Sequence, residues 1–152
     1  IQSLTFESYM AYKRFSVSLS RFNVLVGPNN SGKSTIIKSM QLLEAAWRSG
    51  IKKKPQYIPE IENYGYIIKD TSLPIRIHNI HNEYENVYTK MKIKFSGVGH
   101  ASLTVSPDFK VYLHFNNLDG VNLENSSTIK RQFQFKIGVI PFLGPVEPAV
   151  AL

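Results

Sequence analysis

The sequence has no cysteine, which excludes disulfides, thiolate zinc sites and cysteine nucleophiles within its 152 residues. It also has no long apolar run. The longest, residues 24–26 and 139–143, are far shorter than the roughly 20 residues that cross a bilayer as a helix. These absences predict a chain without a transmembrane segment or a signal peptide, as in a cytoplasmic protein with no membrane partner.

Acidic residues are scarce. The chain has 11 of them against 18 lysines and arginines, which gives a net charge of +7 and a pI near 9.6. Clustered cations favour polyanionic partners, because they neutralise phosphates and release counterions. A solvated basic surface explains the charge equally well. The run Lys52, Lys53 and Lys54 is too short to be a specific nucleic-acid signature.

The length and composition, with 43% hydrophobic and 19% charged residues, predict one globular domain over residues 1–152. The chain begins with Ile1 instead of methionine and stops at Leu152, inside the pattern of a starting helix. We therefore expect it to be the front part of a longer protein.

Two kinds of strand pattern occupy the first 26 residues. Apolar residues alternate with polar ones at Leu4 and Phe6, and again at Phe15 and Val17, which predicts two half-buried strands joined around "SYMAYKR". Residues 22–26 are apolar except for Asn23 and do not alternate. That pattern predicts a central strand covered on both faces.

A helix is predicted directly after a glycine-rich loop. Ile36, Met40, Leu43 and Trp47 recur at spacings of four, three and four residues, so they share one helical face. Gly50 is suited to end this helix.

The remainder of the chain is dominated by strand patterns. Residues 52–74 carry three prolines without a sustained period, which predicts an irregular connection with short helical or extended pieces. Alternation over residues 87–95, 101–105 and 109–115, with turn sequences between them, predicts an antiparallel meander. Residues 132–141 are predicted as a last strand. The pattern is that of an α/β fold in which strand, loop and helix are followed by an inserted antiparallel sheet.

The loop before the helix carries the strongest motif. Residues 27–34 read GPNNSGKS and fit G-x-x-x-x-G-K-[ST], which predicts a phosphate-binding P-loop because a strand pattern precedes it and a helix pattern follows. A glycine-rich turn without a ligand would leave Lys33 at a helix N-terminus, where a cation is unfavourable unless an anion is present.

Each loop residue has an expected role. Glycines permit close approach of the backbone to phosphates, and the amides of a helix N-terminus attract them. We expect Lys33 to be the catalytic residue, placing its charge near the β- and γ-phosphates, and the Ser34 hydroxyl to be the magnesium ligand. The predicted nucleotide-binding residues are Gly27, Asn29, Asn30, Ser31, Gly32, Lys33, Ser34 and Thr35.

A P-loop alone does not complete hydrolysis, which also needs a carboxylate after a second apolar strand. The sequence has no such acid: Asn116 and Asn117 follow the best candidate strand, and the pattern assigns Asp70, Asp108 and Asp119 to turns. The acid is therefore expected from elsewhere in a longer protein or from a partner chain.

The histidines give weak signals. His78 and His81 are three residues apart, a spacing that places them on opposite faces of a strand and argues against a metal pair. His100 and His114 look isolated. The aromatic residues stand mostly at core-facing strand positions, which favours core packing over base stacking.

The stretch "NVLVGPNNSGKSTIIKSMQLL", preceded by a strand pair and "SYMAYKRFSVSL", resembles the N-terminal lobe of ABC-type ATPases of the SMC, RecF and OLD group. Asn29 matches the asparagine typical of their loop, whereas Met10 stands where an arginine is expected. The resemblance implies an ABC ATPase head that binds ATP and Mg²⁺ and forms a homodimer of heads. It also implies a nuclease domain or subunit, and DNA as a further partner, in repair or phage defence.

Two alternatives stay open. The same fold without turnover would be a nucleotide-gated interaction or sensor module of a defence complex. A small GTPase or nucleotide kinase is disfavoured, because the chain has no N-K-x-D guanine motif and neither class suits an inserted antiparallel sheet.

Overall fold

The structure is a computed structural model, and it describes residues 1–9, 12–20, 23, 24, 26, 33–74, 76, 80 and 87–134. The strands in these ranges are β1 (Ser3–Tyr9), β2 (Tyr12–Ser18), β3 (Gln56–Ile58), β4 (Asn63–Ile68), β5 (Thr89–Phe95), β6 (Gly99–Val105) and β7 (Val111–Asn117). The α-helices are α1 (Lys33–Gly50) and α2 (Ser126–Gln132), and a single 3₁₀ turn spans Asp70–Ser72.

The strands form one antiparallel sheet in the order β2-β1-β5-β6-β7-β4-β3. The predicted hairpin of β1 and β2 is confirmed, as is the meander of β5, β6 and β7. The sheet is not a separate insertion, however. Strand β1 pairs with β5 from Ser3 opposite Lys94 to Glu7 opposite Lys90, so the first hairpin extends the meander into a continuous sheet.

Strand β5 shows why the alternation was a reliable signal. Its even-numbered lysines are exposed, while Met91 and Ile93 are buried in the core. Successive side chains of a strand point to opposite faces, so β5 gives the sheet a polar face and an apolar face. We call the apolar face, against which α1 packs, the inner face, and the opposite one the outer face.

Helix α1 has the predicted bounds and the predicted buried side. Ile36 and Leu43 are buried, and Met40 and Trp47 pack against the core as partly buried residues. The helix ends at Gly50. A Cβ atom there would lie 3.1 Å from the side chains of Tyr66 and Ile68, so the missing side chain lets the helix end pack closely against β4.

Residues 52–74, predicted as an irregular connection with short helical or extended pieces, contain the short strands β3 and β4 and a 3₁₀ turn, although pairing of the two strands in a hairpin was not predicted. Two sequence predictions are wrong in the described part of the chain. Gln132, predicted as the start of a strand, is the last residue of α2, while residues 135–141 lie outside the described ranges. Val24 and Val26 belong to no strand, and they are 67% and 87% exposed. A central strand is covered on both faces and pairs with a neighbour on each side. Val24 and Val26 instead follow β2, which lies at the edge of the sheet.

The core lies between the inner face and the two helices. Phe133, directly after α2, packs against Phe95 and Phe115, with ring centroids 5.5 and 4.8 Å apart. Such aromatic pairs add to the free energy gained by burial. Among the described residues no helix is long and apolar enough to cross a membrane.

Candidate functional site

The carboxyl-terminal half of α1 holds the helix on the sheet. Its fully buried side chains are Leu42, Leu43 and Ala46. The ring of Trp47 meets the ring of Phe115 on β7 edge-on, with centroids 5.2 Å apart and an interplanar angle of 74°. This half of the helix, with Ile36, therefore carries the packing, and Lys33 to Thr35 are not part of the core.

The first turn of α1 contains the last three residues of the predicted nucleotide site. The helix begins at Lys33, Ser34 is exposed and Thr35 is half-buried. No acidic residue occurs in this turn, so no carboxylate of the turn offsets the partial positive charge of the helix N-terminus. A hydroxyl and free amides at such a position suit a phosphate group and its metal ion.

The chain approaches this turn from the end of β2. The Asn23 side chain closes a tight turn: its Oδ1 accepts a hydrogen bond from the Ser20 amide at 3.0 Å, and its Nδ2 donates to the Ser20 carbonyl at 2.8 Å. The Leu19 amide in turn donates to the Gln2 carbonyl at 2.8 Å. These bonds fix the point from which the loop leaves the sheet.

The remaining predicted site residues lie outside the described ranges. They are Gly27, Asn29, Asn30, Ser31 and Gly32. Their roles, and that of the Lys33 side chain, stay predictions. The structure therefore gives the frame of the loop, which runs from the Asn23 turn to the start of α1.

The asparagines at the end of β7 have a structural role. Asn117 Oδ1 accepts hydrogen bonds from the amides of Asp119 and Val121, at 2.9 and 3.0 Å. Asn116 Nδ2 donates to the Gly120 carbonyl at 2.9 Å. Both side chains therefore shape the turn after the strand, where a magnesium-binding carboxylate was sought.

Asp108 is also a turn residue. It accepts a hydrogen bond from the Ser106 hydroxyl, and one of its oxygens lies 3.5 Å from Lys110 Nζ. The Ser106 hydrogen bond, more than the Lys110 charge, holds the pKa of this carboxyl below its ordinary value. Local bonding thus accounts for Asp108 without a metal ion.

The histidines differ from the sequence expectation. His78 and His81 lie outside the described ranges. His100 and His114, which look isolated in the sequence, both line one cavity of about 560 Å³ on the outer face. We call this cavity the outer-face pocket. Sequence alternation places each histidine on a face, but only the register of β6 with β7 brings them together.

The outer-face pocket is not a metal centre by composition. Within the described ranges no group of three or more histidine, cysteine, aspartate or glutamate side chains could hold a metal ion. The pKa of His114 is lowered to about 4, first by burial and then by the charges of His100, Lys90 and Lys92. The imidazole is therefore neutral at pH 7.

A comparison with models of protein families covers both the predicted loop and the strands and helices around it. The family model described as an AAA ATPase domain matches residues 1–140. The chain belongs to the AAA ATPase domain family. The match includes the whole predicted loop and every described strand and helix. A comparison with curated proteins found no match.

Membership of the AAA ATPase domain family implies ATP binding and hydrolysis, usually with Mg²⁺. This agrees with the motif at residues 27–34 and with the exposed first turn of α1. For this AAA ATPase domain, the described residues supply a helix start suited to phosphate. They supply no carboxylate cluster for the metal.

Proposed function

We propose that this AAA ATPase domain binds ATP with Mg²⁺ through residues 27–35. The backbone amides around Gly32 hold the phosphates, Lys33 places its charge at the β- and γ-phosphates, and Ser34 is the metal ligand. Mg²⁺ held at Ser34 would supply positive charge that offsets the charge of the phosphates. The Thr35 hydroxyl completes the contacts at the α-phosphate.

One observation carries this proposal: the lysine and hydroxyls of the motif fall in the first turn of α1, where Ser34 is exposed, and the core contacts of the helix begin only at Ile36. Lys33 is the first residue of α1, and the turn has no acidic residue. The packing of α1 rests on residues from Ile36 to Trp47. A bound phosphate would therefore meet the helix N-terminus without competing with a carboxylate or with the core.

We further propose that the domain is the N-terminal lobe of an ABC-type head of the SMC, RecF and OLD group. The motif, with its Asn29, and the β1–β2 hairpin before the loop support this assignment. On this proposal, two heads form a homodimer around ATP and act with a nuclease domain or subunit, or on DNA, in the cytoplasm. Phage defence and DNA repair are the two settings that such a machine would serve.

A second candidate is a nucleotide-gated sensor that binds ATP without turnover. The observation that favours it is the end of β7, where Asn116 and Asn117 form turn hydrogen bonds. Amide side chains carry no negative charge and are poor substitutes for the magnesium-binding acid of an ATPase.

The assignment of Ser34 as the metal ligand provides the test of the proposed ATP site. ATP affinity of the chain, measured by calorimetry with Mg²⁺ and again with a chelator, should depend on the metal. Ser34→Ala should remove most of that dependence and leave the metal-free affinity unchanged. Ser49→Ala is the matched control, because it removes a hydroxyl from the other end of the same helix. An equal metal dependence in Ser34→Ala and Ser49→Ala would refute the role of Ser34.

A further inference from the structure

The outer-face pocket lies on the side of the sheet that α1 does not cover. Its floor consists of outward side chains of β1, β5, β6 and β7, and one wall is the turn between β3 and β4, residues 59–62. A cavity of about 560 Å³ is within the size range of small-molecule sites. The pocket is remote in the fold from the first turn of α1, since that helix packs on the inner face.

One cross-strand row forms the floor. The register places Thr5 opposite Lys92, Lys92 opposite Ser102, and Ser102 opposite His114. Directly opposite residues of antiparallel strands have Cβ atoms about 5 Å apart. An ammonium group, hydroxyls and an imidazole therefore stand side by side, within reach of a single small ligand.

Lys92 is the cation of this row. It is exposed and has hydroxyl residues on both sides. Within the described ranges neither Lys92 nor the neighbouring Lys90 makes an ion pair, but Lys90 stands directly opposite the carboxylate residue Glu7 and Lys92 does not. The other carboxylates of the pocket, Glu60 and Glu62, belong to the turn wall. A negative group would therefore be attracted to the β5 side and repelled from the turn.

Two buried polar atoms on this face have no hydrogen-bond partner in the described part of the chain. They are His114 Nδ1 and Asn116 Oδ1. Buried polar atoms are nearly always hydrogen-bonded, so each exception needs an explanation. His114 Nδ1 is closed off from solvent, so a ligand would contact the part of the imidazole that lines the pocket. A neutral imidazole can accept one hydrogen bond and donate another.

We propose that the outer-face pocket binds a small organic anion, with its phosphate or carboxylate group at Lys92 and a hydroxyl or amine group at His114. The carboxylates of the turn wall orient this ligand and exclude a long polyanion. The site lies on the opposite side of the sheet from α1, and the proposal holds whether or not residues 27–35 bind ATP.

The test is an NMR titration of the chain with two small anions, glycerol 3-phosphate and glycerate. Both carry the same pair of adjacent hydroxyl groups, and they differ in the anionic end, a CH₂-linked phosphate in one and a carboxylate in the other. At least one should shift the imidazole resonances of His114 in a saturable way at millimolar concentration. The stronger probe identifies phosphate or carboxylate as the preferred group. Absence of a shift at His114 with both probes would overturn the proposal.

Variants test whether the anionic group of the probe binds at Lys92. Lys92→Ala should weaken binding of the stronger probe by about tenfold, the loss expected for one charge-assisted hydrogen bond. Lys94→Ala is the matched control, since Lys94 lies on the same face of β5 but does not line the pocket. Lys33→Ala should leave the affinity unchanged, which separates this site from the loop. Equal losses in Lys92→Ala and Lys94→Ala would overturn the assignment. The titration of the wild-type chain tests the proposal even if a variant does not fold.

Discussion

The indole ring of Trp47 on α1 stands edge-on to the phenyl ring of Phe115 on β7, with ring centroids 5.2 Å apart. Phe115 also contacts Phe133, which follows α2, at 4.8 Å. Phe115 therefore connects both helices to the centre of the sheet. The position of α1, the helix that follows the predicted nucleotide loop, depends on this contact.

Trp47→Ala should lower the free energy of unfolding by about 2–3 kcal/mol, because it removes a partly buried aromatic ring and its edge-on contact. Urea denaturation followed by circular dichroism measures the loss. Tyr57→Ala is the control: Tyr57 is on the edge strand β3 and 54% exposed. That change should cost less than about 1 kcal/mol. Equal losses would show that the ring contact does not fix α1.

Acid should destabilise the fold through His114. The pKa of His114 is lowered from 6.5 to about 4, chiefly by burial, so between these values the unfolded chain takes up a proton that the folded chain does not. The free energy of unfolding should therefore fall as the pH falls from 6.5 towards 4. The loss from this group is at most about 3 kcal/mol.

His114→Gln supplies the control for that prediction, since glutamine does not titrate. Urea midpoints across the same pH range should depend less on pH in the variant. Some dependence should remain, because burial and the charges of Lys92 and Lys94 also lower the pKa of His100. Identical pH profiles for wild type and variant would show that His114 is not protected from protonation.

The chain should bind ATP without appreciable turnover. The described residues offer no carboxylate cluster for the metal, and Asn116 and Asn117 serve the turn after β7. A phosphate-release assay on the 152-residue chain checks this. Rapid phosphate release that Lys33→Ala abolishes would contradict it, because the acids would then have to lie within this sequence.

The sequence allowed prediction of elements whose signal is local. The alternation of Lys90, Met91 and Lys92 identified β5 and its faces, and the recurrence of Ile36, Met40 and Leu43 identified α1. In both cases the period of the backbone alone decides which side chains are buried.

Elements that depend on context were missed. Short extended pieces were predicted in residues 52–74, but the β3–β4 hairpin was not. Pro55 and Pro59 flank β3 on either side, where no ladder amide is required. Helix α2 was missed although its cap is visible in the sequence. Asn125 Oδ1 accepts hydrogen bonds from the amides of Ser127 and Thr128, at 2.9 and 3.2 Å, as an N-cap asparagine does.

The two candidate sites also differ in whether the sequence carries a local signal for them. The nucleotide loop was predicted from a contiguous motif, because its chemistry depends on neighbouring residues. The outer-face pocket could not be predicted, because it depends on the register that places Lys92, Ser102 and His114 in one row. The alternation predicts the strands of this meander, but it does not determine which residue of one strand lies opposite which residue of the next.

The most direct test of the account is the ATP affinity of Lys33→Ala, measured by isothermal titration calorimetry with Mg²⁺ present. We expect a loss of at least about a hundredfold, or roughly 3 kcal/mol. Lys38→Ala, an exposed lysine of the same helix, should bind ATP like the wild type. Undiminished ATP affinity in Lys33→Ala would contradict the assignment of residues 27–35 as the nucleotide site.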